Sequence, residues 1–165
     1  MQRPLDPARV GDHLDRLYRA AWALCGSRED AEDLVQETYA RVLARPRLLR
    51  NDDDLGYLLR ALRNTFLNQK RSESRRLRAA PLPDELDVVP DPKAREPHAA
   101  LEAGELYAAI AALPPDFRDV LVAVDVTGLT YEEAARALRI PTGTVMSRLY
   151  RARQQVVRRI DSPQE

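Results

Sequence analysis

The sequence predicts an all-α protein: two small helical domains joined by a proline-rich linker, the second a four-helix domain that contains a helix-turn-helix. Three observations carry this prediction. Leu and Ala contribute 23 residues each, whereas Ile contributes 3 and Thr 6, so helix formers dominate and the β-branched population is thin. Pro81, Pro83, Pro90, Pro92 and Pro97 crowd into residues 79–100, a stretch without helical periodicity. On both sides of it apolar residues recur at helical spacing. The expected units are therefore residues 1–78, a linker over 79–100, and residues 101–165.

In the first unit, Leu14, Leu17, Tyr18, Ala21 and Leu24 mark a helix, and Gly26 is its expected stop in the left-handed conformation. Ser27 is placed to cap the next helix, whose expected buried stripe is Ala31, Leu34, Val35, Thr38 and Val42. A third helix gathers Leu55, Leu58, Leu59, Leu62 and Phe66 on one side. In the second unit a helix over 103–113 stops at Pro114-Pro115, and another runs from Pro115 to about Val126. Thr127-Gly128-Leu129 breaks it, and Thr130 with Glu133 forms a capping box. That box opens a helix whose Ala134, Ala135 and Ala137 permit a close neighbour and whose Leu138 fills the core. Arg139-Ile140-Pro141 turns the chain. Thr142 is the expected cap of a last helix with Val145, Leu149, Ala152, Val156 and Ile160 as its buried stripe. Short helix, tight turn and long basic helix make a helix-turn-helix.

Composition excludes several classes. A chain of 165 residues with 44% hydrophobic content builds a core, but its apolar runs are too short to cross a bilayer, so no membrane insertion is expected. One Cys (Cys25) and two His (His13, His98) exclude a disulfide framework and a zinc site built from Cys and His. No metal site is expected. Cys25 ends an apolar helix and reads as packing. The start, MQRPLDPARVGDHLDR, is broken by charges and prolines, so an export signal is not expected and the expected compartment is the cytoplasm.

With 26 basic and 26 acidic residues the formal net charge is zero, which at first argues against a nucleic-acid binder. Segment counts reverse that impression. Residues 60–78 hold seven basic groups against Glu73 alone, and residues 136–160 hold seven with no acid. Two basic patches suit a polyanion; they also suit two solvated helix faces. On the third helix Tyr57, Arg60, Asn64, Asn68, Arg71 and Arg75 share the side opposite the leucines. Guanidinium groups neutralise phosphate, Asn bonds base edges and a Tyr ring stacks on an unpaired base, although Tyr57 packed sideways on a neighbouring helix would fit the spacing as well. On the last helix Thr144, Ser147, Arg148 and Arg151 project near the amino end, the part of a recognition helix that reaches base edges. An Arg bidentate to guanine adds about 1 to 3 kcal/mol of discrimination. Arg153, Arg158 and Arg159 suit phosphate contacts. A protein-docking hairpin would have a similar pattern. Asp30, Asp33 and Glu37 line the outer face of the second helix; they lack the Glu-x-x-His partners of a carboxylate metal site, and spacing does not separate a solvated face from a docking face.

Two stretches resemble one family. GSREDAEDLVQETYARVL with DDLGYLLRALRNTFLNQKR is similar to region 2, and ALPPDFRDVLVAVDVTGLTYEEAARALRIPTGTVMSRLYRARQQV to region 4, of bacterial RNA polymerase sigma factors. The chain resembles the small extracytoplasmic-function group, which keeps those two regions only. The resemblance implies a non-enzymatic subunit, without cofactor or small-molecule substrate, that binds core RNA polymerase, delivers it to promoter DNA and helps open the duplex, with an anti-sigma factor as inhibitor. It implies core docking through Asp30, Asp33, Leu34, Gln36 and Glu37. It implies minus-ten recognition by Tyr57, Arg60, Asn64, Asn68 and Arg71, and minus-thirty-five recognition by Thr142, Thr144, Met146, Ser147, Arg148 and Arg151. Two residues depart from the family pattern: Tyr57 stands where a Trp is frequent, and Met146 where a basic residue is common. Met146 either makes an apolar contact to thymine or is not a reader. The rival class is a stand-alone helix-turn-helix regulator acting as a dimer; a nuclease built on Asp52, Asp53 and Asp54 is weaker, because those residues read as a helix cap.

Overall fold

The computed structural model describes residues 3–45, 47–49, 53–79 and 98–162. Eight α-helices follow in order among these residues: α1 Pro7–Val10, α2 Leu14–Cys25, α3 Arg28–Ala44, α4 Asp54–Ala79, α5 His98–Ala111, α6 Pro115–Leu121, α7 Tyr131–Leu138 and α8 Thr142–Asp161. A 3-10 turn, Gly11–His13, joins α1 to α2. Arg3–Pro4 pairs antiparallel with Leu48–Leu49, a two-residue bridge too short to have a sequence pattern. The linker expected over 79–100 lies, at 80–97, outside the described residues, as do its five prolines and Asp52; Ala79 still belongs to α4, and α5 already begins at His98.

Local chemistry accounts for most boundaries. Gly26 (φ 76°) closes α2, its N–H bonding Trp22 O. Ser27 Oγ accepts from Asp30 N at 3.5 Å, and the stripe Ala31, Leu34, Val35, Thr38, Val42 is buried as expected. Asp53 caps α4 by accepting from Gly56 N at 3.1 Å. Asp54 does something else: it is buried and holds the amino-terminal segment through Arg3 at 2.5 Å and Arg9 at 3.6 Å. The Thr130–Glu133 capping box is complete, at 3.1 and 3.2 Å.

Five details differ from the sequence reading. The helix expected to reach about Val126 gives way at Val122 to a π turn, Val122–Val126, where buried Thr127 turns its hydroxyl onto Val122 O. Thr142 is the first helical residue rather than the cap, because Pro141 occupies the cap position with extended backbone. Leu138 is half-buried at the edge of the core, which the small Ala134, Ala135 and Ala137 occupy in its place. Ile160 is exposed, since α8 has run past the helices that cover Val145, Leu149, Ala152 and Val156. Leu14 is exposed too, whereas Ala20, Trp22 and Ala23 are buried together with Ala21 and Leu24.

The last difference organises the molecule. Helix α2 is covered on two sides: α3 and α4 take one face, and α5 with the π turn takes the other. Helix α4 likewise packs on α3 and also on α7. The two halves therefore share one continuous buried cluster instead of separate cores.

Candidate nucleic-acid interface

Helix α7, the turn at Arg139 (φ 57°) and α8 build the helix-turn-helix. Arg139 takes the left-handed conformation usually left to glycine, and its N–H bonds Ala135 O. Val145, Leu149 and Ala152 seat α8 on α6 and α7, so that Thr142, Met146, Ser147 and Arg151 stand on its exposed side. Met146 is 53% exposed. Thr144 is half-buried, its carbonyl accepting from Ser147 Oγ at 3.2 Å. Arg148 is partly covered and lies 3.9 Å from Asp116, a long contact to an exposed carboxylate that is easily given up. Arg153 differs from expectation. It makes a two-pronged pair with Asp125, at 2.7 and 2.9 Å, which raises its pKa above the ordinary arginine value, so a phosphate must compete for it. Arg158 and Arg159 are exposed.

On α4 the expected minus-ten face is divided. Asn64, Asn68 and Arg71 are exposed. Tyr57 is half-buried against the core, leaving only part of its ring to stack. Arg60 is turned toward the second half, where its Nε donates to Ala137 O at 3.0 Å and its Nη2 to Arg136 O at 2.6 Å. Those carbonyls belong to the last turn of α7, which attracts a cation. Burial lowers the Arg60 pKa, and Arg139 nearby acts in the same direction.

The acidic face of α3 keeps Asp30, Asp33 and Gln36 exposed. Glu37 pairs with Arg41 at 2.8 Å, the expected i, i+4 contact, and accepts a hydrogen bond from Gln69 of α4. Leu34 is fully buried between α3 and its neighbours, so it cannot touch a partner and drops out of the docking set. A groove of about 410 Å³ runs between α3 and the second half of α4, lined among others by Asp30, Asp33, Glu37, Asn68 and Lys70. Cys25 also lines it; burial, foremost, raises its thiol pKa to about 11, which fits packing and not a reactive thiol. No group of three or more metal-ligating side chains occurs among the described residues, and no described helix is long and apolar enough to cross a membrane.

Sequence reasoning missed the residues at the junction of the halves: Trp22, Arg63, Tyr107, Arg118 and Asp119. One signal was legible, the unbroken apolar run AAWAL in α2, since a helix apolar all round is covered on more than one side. Arg63 and the Arg118-Asp119 pair have no local signature.

Residues 10–76 match the family model for Sigma-70 region 2, and residues 103–156 that for Sigma-70, region 4. The chain is 41% identical over 150 residues to the ECF RNA polymerase sigma factor SigE of Mycolicibacterium smegmatis, covering 89% of this chain and 58% of that one. It is 34% identical over 137 residues to the ECF RNA polymerase sigma factor EcfG of Rhodopseudomonas palustris, covering 82% and 74%. Its fold matches the sigma factor RpoE of Bartonella quintana, solved in complex with the anti-sigma factor NepR, with a TM-score of 0.71, 23% identity, and coverage of 95% of this chain and 97% of that one. With both regions matched in order, and EcfG aligned over most of its length, the chain belongs to the extracytoplasmic-function RNA polymerase sigma factors of the sigma-70 family.

Proposed function

We propose that this protein is a non-enzymatic, cytoplasmic subunit that binds core RNA polymerase and directs it to promoters. The observation that carries the reading is the exposed amino-terminal face of α8, with Thr142, Met146, Ser147 and Arg151 outward and Arg148 loosely held, on a helix-turn-helix scaffold. That face suits the major groove of the minus-thirty-five element: Arg148 and Arg151 bond base edges or phosphates, and Met146 offers an apolar contact to a thymine methyl. The exposed Asn64, Asn68 and Arg71, with the free part of Tyr57, suit the melted minus-ten element. Stacking and phosphate neutralisation there offset the few kcal/mol needed to unstack a base. Asp30, Asp33, Gln36 and Glu37 form the surface offered to core polymerase. The proline-rich linker expected from sequence over residues 79–100 supports two separately placed DNA faces. An anti-sigma factor is the proposed inhibitor, by analogy with the partner of the Bartonella quintana protein. A stand-alone regulator is disfavoured by the match to region 2, which such a protein has no use for.

The test is transcription of a genomic library by core polymerase with this protein added. New, promoter-specific transcripts are expected, and substitution of Arg148 and Arg151 by Ala should abolish them. Tyr57→Ala should impair open-complex formation more than co-elution with core. Tight, specific duplex binding without polymerase, and no new transcripts with it, would overturn the reading.

A further inference from the structure

Asp54, the first residue of α4, is 2% exposed, and its charge plays no part in the proposed docking or DNA faces. A carboxylate buried so deeply is costly unless cations meet it. Both cations that do so come from the amino-terminal segment. Arg3 Nη2, 51 residues away along the chain, donates to Oδ1 at 2.5 Å, and Arg9 Nε lies 3.6 Å from Oδ2. Among the described residues Oδ2 accepts no hydrogen bond, so Arg3 supplies the bond that holds the carboxylate.

The same segment is fastened at further points. Arg3–Pro4 pairs with Leu48–Leu49, which lie between α3 and α4. Tyr39 of α3 donates its hydroxyl to Val10 O at 2.9 Å, and Leu5, Val10 and Leu49 are buried. Residues 3–10 thus tie together α3, the connection that leaves it, and the first turn of α4. Tyr57 belongs to that turn, and its N–H bonds Asp53 O at 3.2 Å. Asp53 also accepts from Gly56 N, and a Cβ on Gly56 would run into the Asp53 carboxylate. The first turn is therefore gripped by Asp53 on its outer side and by Asp54 from within, and the Tyr57 ring goes where that turn is held. If the segment served stability alone, apolar side chains at these two positions would do as well without the cost of burying charge. A bonded ion pair adds a fixed register, which a helix end otherwise prone to fray lacks.

We propose that Arg3 and Asp54 are positioning residues for promoter opening: by pinning the amino-terminal segment to the first turn of α4, they hold the Tyr57 ring where an unstacked base meets it. The proposal rests on the minus-ten role proposed for Tyr57. Asp54 is buried and would repel phosphate, and Arg3 is engaged with it, so both act through Tyr57 and not on DNA.

The test is a double-mutant cycle of Arg3→Ala with Tyr57→Ala in reconstituted holoenzyme, on a promoter that wild-type protein selects from the genomic library. Arg3→Ala, shown by circular dichroism to be as helical as wild type, should keep its affinity for core within about twofold and slow open-complex formation roughly tenfold. In a Tyr57→Ala background it should slow opening no further, because residues that act as a unit are not additive. Arg3→Lys should recover most of the lost rate, since a single donor reaches Asp54. In the free chain, Arg3→Ala should speed amide hydrogen exchange about tenfold at Gly56 and Tyr57 while leaving α3 and α8 as in wild type. Should Arg3→Ala not fold, Arg3→Met decides on the same measurements. Wild-type opening or wild-type exchange in the variant would overturn the proposal. So would losses that multiply with those of Tyr57→Ala, or a loss of core affinity as large as the loss of opening, either of which would mark general destabilisation. Normal opening by Tyr57→Ala would remove the minus-ten role of that ring and this proposal with it. Absence of transcripts with wild-type protein would instead overturn the sigma reading, and the grip on the first turn would be judged on the exchange of the free chain.

Discussion

The basic runs at 60–78 and 136–160 carry seven cations each and end in different surroundings. In the first, the cations nearest the amino end of α4 are turned inward: Arg60 onto α7 carbonyls and Arg63 onto a buried carboxylate. Those farther along, Arg71, Arg75, Arg76 and Arg78, stay exposed. In the second, the bound cation is Arg153, paired with Asp125 at the surface, while Arg136, Arg139, Arg151, Arg158 and Arg159 are exposed. Equal charge in sequence thus becomes unequal charge available to a ligand. The face of α8 is ready as it stands, whereas that of α4 is partly spent on the protein's own second half. The zero net charge fits the same picture: some of the acids that cancel the arginines, Asp119 and Asp125 among them, do so by direct contact, which weakens the field a DNA strand meets at a distance.

The comparison can be broken most forcefully through packing. Leu62 of α4 is fully buried, so Leu62→Ala should lower unfolding free energy in urea by about 2 to 5 kcal/mol, whereas Ile160→Ala near the end of α8 should change it by less than about 0.5. Comparable losses at both would mean that α8 is covered along its whole length. Next come the charges. Arg63→Ala leaves buried Asp119 with only the 3.2 Å hydrogen bond from Arg118 Nε and should cost about 1 to 3 kcal/mol, against about 0 to 1 for Arg153→Ala at the surface. A double-mutant cycle of Arg63 with Asp119 should show coupling that survives high salt, while that of Arg153 with Asp125 should be screened.

The smallest effect concerns Cys25, at the end of α2 beside the junction. Its pKa is raised from the ordinary 9.0 to about 11, so the stability it lends is fully present below pH 9 and declines as pH rises toward 11. At pH 8 its alkylation should be about a hundredfold slower in native protein than in denaturant, and should speed about tenfold per pH unit until near 11. Native alkylation as fast as in denaturant would show the thiol to be open to solvent and the corner looser than drawn.

Much of this was legible in single stretches of chain. The five residues expected to bury α3 are the five that do, because a lone amphipathic helix against one core has one apolar stripe. Gly26, Ser27 and the Thr130–Glu133 box terminate or start helices by bonds that reach three or four residues along the chain. Thr142 was misplaced by one residue because Pro141 serves as cap without a side-chain bond, a choice that leaves no polar signature. Leu34, which the family resemblance places in the docking set, lies in the buried stripe that its own spacing predicts.

What the sequence alone determined, then, was the longer helices, most of their caps, the helix-turn-helix and the family, all of which depend on interactions a few residues long or on contiguous motifs. Tertiary structure alone decided which elements cover the two faces of α2, that Arg60 and Arg63 turn toward the second half, and that Arg153 is paired. The physical reason is distance along the chain. Arg63 and Asp119 are 56 residues apart and Arg60 and Arg136 are 76 apart, so no local pattern links them. They meet only when the two halves close.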